Sequence, residues 1–153
     1  MERSKCSNCV FFKKASEWIG TPFKLRDCVK GRGADCVSAP FSILVDVGLL
    51  SRETFLDIYN ARMLKLFRQD HQEFLRQLAH AFGDDYVVVI GDKSVKCGDI
   101  VVRDIGRYRE MFAAVYVSDK FLVARPVTGV QWAADFEFDY KISKVNFRCP
   151  CEV

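Results

Sequence analysis

Helical and strand patterns are segregated along this chain, and that order restricts the folds open to it. The first half carries helical spacing and the second half carries short β-branched and aromatic runs. From Ser4 to Ile19 the pattern predicts an amphipathic helix, with Val10, Phe11, Ala15, Trp18 and Ile19 on one side and Lys13, Lys14 and Glu17 on the other. Gly20-Thr21-Pro22 ends it. Phe23 to Gly33 reads as a basic loop. A second helix is expected from Ser38 to about Leu50, ending near Gly48. Proline is tolerated only in the first turn of a helix, so Ser38 is the expected N-cap and Pro40 the second helical position. Cys36 then stands just before the helix. Ser51 to Phe82 reads as one long helical segment with a break near Asp70, on the spacing of Phe55, Tyr59, Leu66, Phe74, Leu78 and Phe82. Six strands follow: Tyr86–Ile90, Asp99–Arg103, Phe112–Val117, Phe121–Arg125, Gly129–Trp132 and Ile142–Arg148. Helices first and a strand meander second is an α+β pattern, with N-terminal helices packed on an antiparallel sheet of five to six strands. No repeat, low-complexity tract or linker interrupts it, so residues 1–153 are expected to form a single domain.

The chain is long enough to bury a core without covalent staples. Half of its residues are hydrophobic and 13 are Phe, which argues against disorder. The net charge of +3 is spread among interspersed acids and bases, with no Lys/Arg run to suggest a nucleic-acid partner. No apolar stretch approaches the roughly 18 residues of a membrane span. MERSKCSNC carries charge with no apolar run behind it, so a signal peptide is not expected. The expected location is the bacterial cytoplasm, followed by residence there or in an assembly.

Seven cysteines are many for such a chain. An odd count without a signal peptide argues against a disulfide framework. Cys6-x-x-Cys9 and Cys149-Pro-Cys151 have the short spacings at which paired thiolates hold one metal. If the chain ends meet, the four thiolates make a closed tetrahedral site suited to zinc or an iron–sulfur cluster. The bland alternative is four scattered terminal thiols. Cys28 and Cys97 read as alternative ligands or as packing residues. A thioredoxin-type reading of the C-x-x-C fails, because that motif needs a preceding strand and a βαβ context.

The richest local signal is Trp18 to Cys36, WIGTPFKLRDCVKGRGADC. A cysteine nucleophile needs a base to take its proton and a third group to orient that base. A helix N-terminus favours the thiolate. Cys36, after a loop and before a helix, fits the first requirement. The string GTPF…GRGADC, with KCGDIVV at Lys96–Val102, resembles the NlpC-type papain-like cell-wall cysteine peptidases. The likeness is closest to the branch carried by tailed phages and gene-transfer particles, on Cys28 eight residues before Cys36, the GxG before Cys36, and Ala113-Ala114.

The resemblance implies a papain-like fold with Cys36 at the nucleophile position. It also implies a histidine at the start of the strand after Gly98-Asp99-Ile100. The matching segment is Phe112-Ala113-Ala114-Val115-Tyr116, so Phe112 occupies the base position, and a second, often polar, position falls near Val123. A phenyl ring accepts no proton. The two histidines, His71 and His80, lie in the long helical segment and read as surface residues. The function the resemblance implies is therefore a structural component of a phage-type tail tip, associated with the baseplate or hub and built on a catalytically degenerate peptidase fold. Its partners would be other tail-tip or hub proteins, and its final location a virion or phage-like tail. Some phage tail-tip proteins carry a four-iron cluster, which gives the terminal cysteines an iron–sulfur option. The alternative is an active peptidoglycan-cleaving endopeptidase with Cys36 as nucleophile and His71, His80 or a partner's group as base. In that reading the basic loop Lys24 to Arg32 would meet an acidic wall polymer, against the simpler reading of a solvated turn.

Overall fold

The computed structural model describes residues 10–104 and 111–147, with the main chain alone at 104, 111 and 112. These residues form an α+β fold of five helices, a six-stranded antiparallel sheet and a two-stranded ribbon.

Helix α1 (Val10–Ser16) buries Phe11 and Ala15, and Trp18 is buried just beyond it. The apolar stripe is narrower than its sequence suggests: Val10 and Ile19 are exposed. Trp18 and Ile19 donate to the carbonyls three residues back, Ala15 and Ser16, which tightens the chain and takes Ile19 out of phase. The Gly20-Thr21-Pro22 turn then docks on the edge of the sheet. Gly20 N–H donates to Val130 O and Val130 N–H donates to Thr21 O, both at 2.9 Å. The Thr21 hydroxyl accepts Gly31 N–H, so one threonine holds both the sheet edge and the following loop. That loop contains a ribbon missed in the sequence, β1 (Cys28–Val29) antiparallel to β2 (Gly33–Ala34).

Helix α2 (Ser38–Asp46) packs on the sheet and buries every residue from Ser38 to Leu44. The expected long helix is three: α3 (Arg52–Ile58), α4 (Ala61–Gln69) and α5 (His71–Phe82). Each start has a side-chain cap. Ser51, Asn60 and Asp70 accept from the backbone N–H of Thr54, Met63 and Glu73. The Asp70 break was legible; the one at Tyr59-Asn60 was hidden by continued apolar spacing.

The strands are β3 (Tyr86–Ile90), β4 (Ile100–Asp104), β5 (Met111–Val117), β6 (Lys120–Arg125), β7 (Gly129–Ala133) and β8 (Tyr140–Lys144). Their order, β3-β8-β4-β5-β6-β7, is not a simple meander. The last strand inserts between β3 and β4. Its composition suits a doubly covered position: Tyr140 and Ile142 enter the helix-facing core, while Lys141 and Ser143 are buried on the other face. The Ser143 hydroxyl donates to the buried Asp99 carboxylate at 2.7 Å, and Lys141 Nζ donates to Ser94 O at 2.6 Å. Ser118 and Asp119 both have positive φ and join β5 to β6 as a two-residue hairpin turn of the primed type.

The main core lies between the helices and one sheet face, with Phe41, Phe67 and Phe74 meeting Ile100, Val102, Ala113, Val115 and Leu122. On the opposite face residues 134–139 cover Val101, Ala114, Phe121 and Val123 through Phe138. Among the described residues no helix is long and apolar enough to cross a membrane.

Candidate functional site

The start of α2 gathers the residues that the sequence singled out. Asp35 Oδ1 accepts the N–H groups of Val37 at 3.0 Å and Ser38 at 2.8 Å. Ser38 Oγ accepts Asp35 N–H at 2.9 Å in return. Asp35 O accepts Ala39 N–H, the first helical hydrogen bond. This reciprocal arrangement is a capping box that brackets the start of α2 and leaves Cys36 in the turn just before the helix. Cys36 thus stands just before the helix, as the sequence predicts, whereas the expected N-cap Ser38 is itself the first helical residue. The carboxylate wins because one oxygen reaches two successive N–H groups, which leaves the Ser38 hydroxyl to close the box and donate to Asp27 O at 2.7 Å.

The second oxygen of Asp35 binds two more partners, the N–H of Arg26 at 2.9 Å and the Tyr59 hydroxyl at 2.6 Å. One buried carboxylate thus ties together the basic loop, α2 and the end of α3. Beside it the Cys28 thiol lies 2.8 Å from the Ser42 hydroxyl, one helical turn beyond Ser38. Cys36 itself is half-buried against the main core. Ser42 carried no sequence signal and Tyr59 only its helical spacing, whereas Asp35-x-x-Ser38 is legible in retrospect as a capping pair.

The basic loop is less free than its composition suggests. Lys30 Nζ reaches Glu17 at 2.5 Å and Asp46 at 3.6 Å, and it sits over the Trp18 ring. Trp18 Nε1–H donates to Asp46 at 2.9 Å. The loop is thereby fastened to both ends of the α1–α2 layer.

His80 is exposed, as expected. His71 is not a surface residue: it is half-buried, with its ring 4.7 Å from Phe67, 5.7 Å from Phe74 and 5.8 Å from Tyr140. Tyr140 pairs with Val102, and Val102 with Ala113, so His71 stands over β8, two strands from β5 and about 10 Å across the sheet. The segment leading into Cys36 is anchored on β7, at the far edge. The Phe112 backbone pairs with Arg103, and its side chain lies outside what is described.

The second motif forms a tight entry to β4. Cys97 is fully buried, Gly98 has φ +100°, and Asp99 accepts Lys96 N–H at 3.0 Å. Cys6, Cys9, Cys149 and Cys151 lie outside the described residues. Among the described residues no group of three or more His, Cys, Asp or Glu side chains is placed to hold a metal. The bordering aromatic residues do converge: the rings of Phe11 and Phe147 lie 3.2 and 3.3 Å from where a Gly98 Cβ would be.

Burial pushes the Cys28 thiol above its ordinary value of 9.0, and burial with the Asp35 hydrogen bond pushes the Tyr59 phenol well above 10.0. Tyr86, whose hydroxyl donates to Leu49 O at 2.6 Å, is also raised by burial. All three favour the protonated form when folded. Their contribution is complete below the unfolded values and is lost as pH rises through the folded ones. Urea midpoints should therefore hold steady up to about pH 8.5 and fall above about pH 9–10. A midpoint that rises through that window would contradict the assignment.

No protein-family model matches the chain, and no curated protein matches it. The class defined by fold and site is an α+β protein with a cysteine in the turn just before a sheet-packed helix.

Proposed function

We propose that this chain is a structural component of a phage-type tail tip, built on a papain-like fold of the NlpC type that no longer hydrolyses peptides. One observation carries the fold part of this reading: Cys36 stands in the turn just before the helix that packs on the interior strands β5 and β6 of an antiparallel sheet. That is the placement a papain-like nucleophile requires. The hydrogen bonds around it support a structural use, since Asp35, Ser38 and Tyr59 bind one another and the loop. The His71 ring is enclosed by Phe67, Phe74 and Tyr140 over β8. The tail-tip assignment rests on the GTPF…GRGADC and KCGDIVV motifs. Its partners are other tail-tip or hub proteins. Particles purified from cells that encode the chain provide the test. The chain should co-purify with intact tails and be labelled by antibody at the tip; its absence from purified tails would overturn the assignment.

The same reading extends to the terminal cysteines. Phe11 and Phe147 meet over Gly98, and Lys96 Nζ holds the carbonyls of Lys144 and Phe147 at 3.1 and 2.8 Å. The described chain thus starts and ends at one place. Cys6, Cys9, Cys149 and Cys151 would there supply four thiolates to a zinc ion or an iron–sulfur cluster, which adds folding free energy only when bound. Purified protein should carry stoichiometric zinc, or iron with brown colour, and should lose thermal stability on chelation. A metal-free protein of unchanged stability would remove the cluster from the account.

A further inference from the structure

We propose that the turn Lys24-Leu25-Arg26-Asp27 is a docking surface for an acidic segment of a partner protein, with the Arg26 guanidinium taking a carboxylate of that segment.

The loop between Phe23 and Gly33 contains two turns of the same form. In one, Asp27 N–H donates to Lys24 O at 3.2 Å; in the other, Arg32 N–H donates to Val29 O at 2.9 Å. The third residue of each has positive φ, +62° at Arg26 and +82° at Gly31. A side chain from elsewhere holds the N–H of each third residue. Asp35 Oδ2 accepts from Arg26 and Thr21 Oγ1 accepts from Gly31, both at 2.9 Å. A turn with positive φ at its third residue ordinarily takes glycine or asparagine there, because a Cβ is strained in that region. Gly31 follows this rule and Arg26 breaks it. The other described non-glycine residues with positive φ are Ser118, Asp119 and Asn146, all short and polar. The turn uses only the backbone N–H of Arg26, so glycine would serve the fold as well.

The Arg26 side chain has no use inside the chain. It is exposed, and among the described residues its guanidinium makes no hydrogen bond or ion pair. Strain kept at a residue whose side chain makes no internal contact points to a contact with another molecule.

The neighbours of Arg26 define that molecule. Lys24 and Arg32 are also exposed and make no ion pair among the described residues, whereas Lys30 is held by Glu17 and Asp46. The Lys24 stem lies against the ribbon, with Cβ and Cδ 2.9 and 3.0 Å from where a Gly33 Cβ would be. Asp27, the one acid between residues 24 and 32, is turned toward the ribbon. Its Oδ1 accepts Cys28 N–H at 2.9 Å, and its Oδ2 lies 2.6 Å from the same point at Gly33. The outward charge is therefore positive and calls for carboxylates, and the planar guanidinium fork takes one through two parallel hydrogen bonds. Leu25, between the two cations of the turn, is 74 % exposed. A hydrated polyanion would leave Leu25 in water, whereas a peptide with an apolar residue beside its acids covers it. Asp35 and Thr21 already fix the two turns, so little ordering is lost on docking. The inference does not depend on the tail-tip reading or on the chemistry of Cys36.

The test is selection of a displayed random peptide library on the full-length chain, followed by fluorescence anisotropy with the enriched peptides. Enriched peptides should carry Asp or Glu next to an apolar residue. Arg26→Gly and Arg26→Asn keep the backbone N–H and suit the positive φ. Each should raise the dissociation constant about tenfold or more, while Lys65→Gln, which removes an exposed cation on α4, should leave it unchanged. Both Arg26 variants should melt at or above the wild-type temperature; if one fails to fold, the other decides. Selection that enriches no acidic peptide, or enriched peptides that bind the Arg26 variants as well as wild type, would overturn the proposal. Inorganic polyphosphate that binds through Arg26 when no peptide is selected would overturn it too. Melting of both Arg26 variants well below the wild type would assign the side chain to the fold and overturn it equally.

Discussion

Asp35→Ala should lower folding stability by about 3 kcal/mol or more, because it removes a cap and strands several buried groups at once. Asp35 is 5 % exposed. It accepts the N–H groups of Val37 and Ser38, the N–H of Arg26 and the Tyr59 hydroxyl. Loss of an N-cap alone costs about 1 kcal/mol. A buried donor left without an acceptor costs about 1–3 kcal/mol more, and here donors from two other segments are affected. Tyr59→Phe removes one of the bonds and should cost only about 1 kcal/mol. Urea unfolding of the three proteins, at unchanged m-value, gives the comparison. A loss below about 1 kcal/mol for Asp35→Ala would mean that α2 is capped in some other way. The effect matters beyond stability, since the same carboxylate fixes the turn in which Cys36 sits.

Gly129→Ala should produce the second large loss, about 2–4 kcal/mol. Gly129 opens β7 with φ +77°, and a Cβ there would lie 2.5 Å from Thr21 O. That carbonyl cannot retreat without releasing the Val130 N–H it accepts. The backbone strain can be separated from the collision by Gly91→Ala. Gly91 has φ +88° and open space within 4 Å of its would-be Cβ, so its substitution should cost only about 1–2 kcal/mol. Thermal melts of the two variants measure the difference. Equal losses would mean that the close approach of the turn to β7 is unimportant. If the turn is dislodged, the loop that follows it should loosen, and Cys36 should alkylate faster in Gly129→Ala than in the wild type.

The elements were legible to different degrees, for physical reasons. Tyr86–Ile90 was readable end to end, because a β-branched run between two glycine turns has no competing pattern. Ser118-Asp119 was readable as a turn. The three helices from Arg52 to Phe82 were read as one segment broken only at Asp70. Phe55, Tyr59 and Leu66 continue a helical spacing across the Asn60 cap, and periodicity does not register a change of helix direction. The place of β8 in the sheet was not readable at all. It depends on Asp99 meeting Ser143, 44 positions apart, and nothing local marks that pair. At the site, the cysteine at a helix start was visible in the sequence. The use made of Asp35 was not, because Tyr59 and Arg26 reach it from segments 24 and 9 positions away. His71 shows the limit from the other side: polar neighbours in sequence suggested the surface, while Phe67, Phe74 and Tyr140 enclose its ring in space.

On the proposed reading, Cys36 keeps the place of a peptidase nucleophile without its chemistry. Muropeptide release from purified peptidoglycan tests it most directly, with Cys36→Ala as the control. The account predicts that wild type and Cys36→Ala release equal, background amounts, while the two proteins melt alike. Release by the wild type that disappears in Cys36→Ala would contradict it, and would identify a working cysteine peptidase.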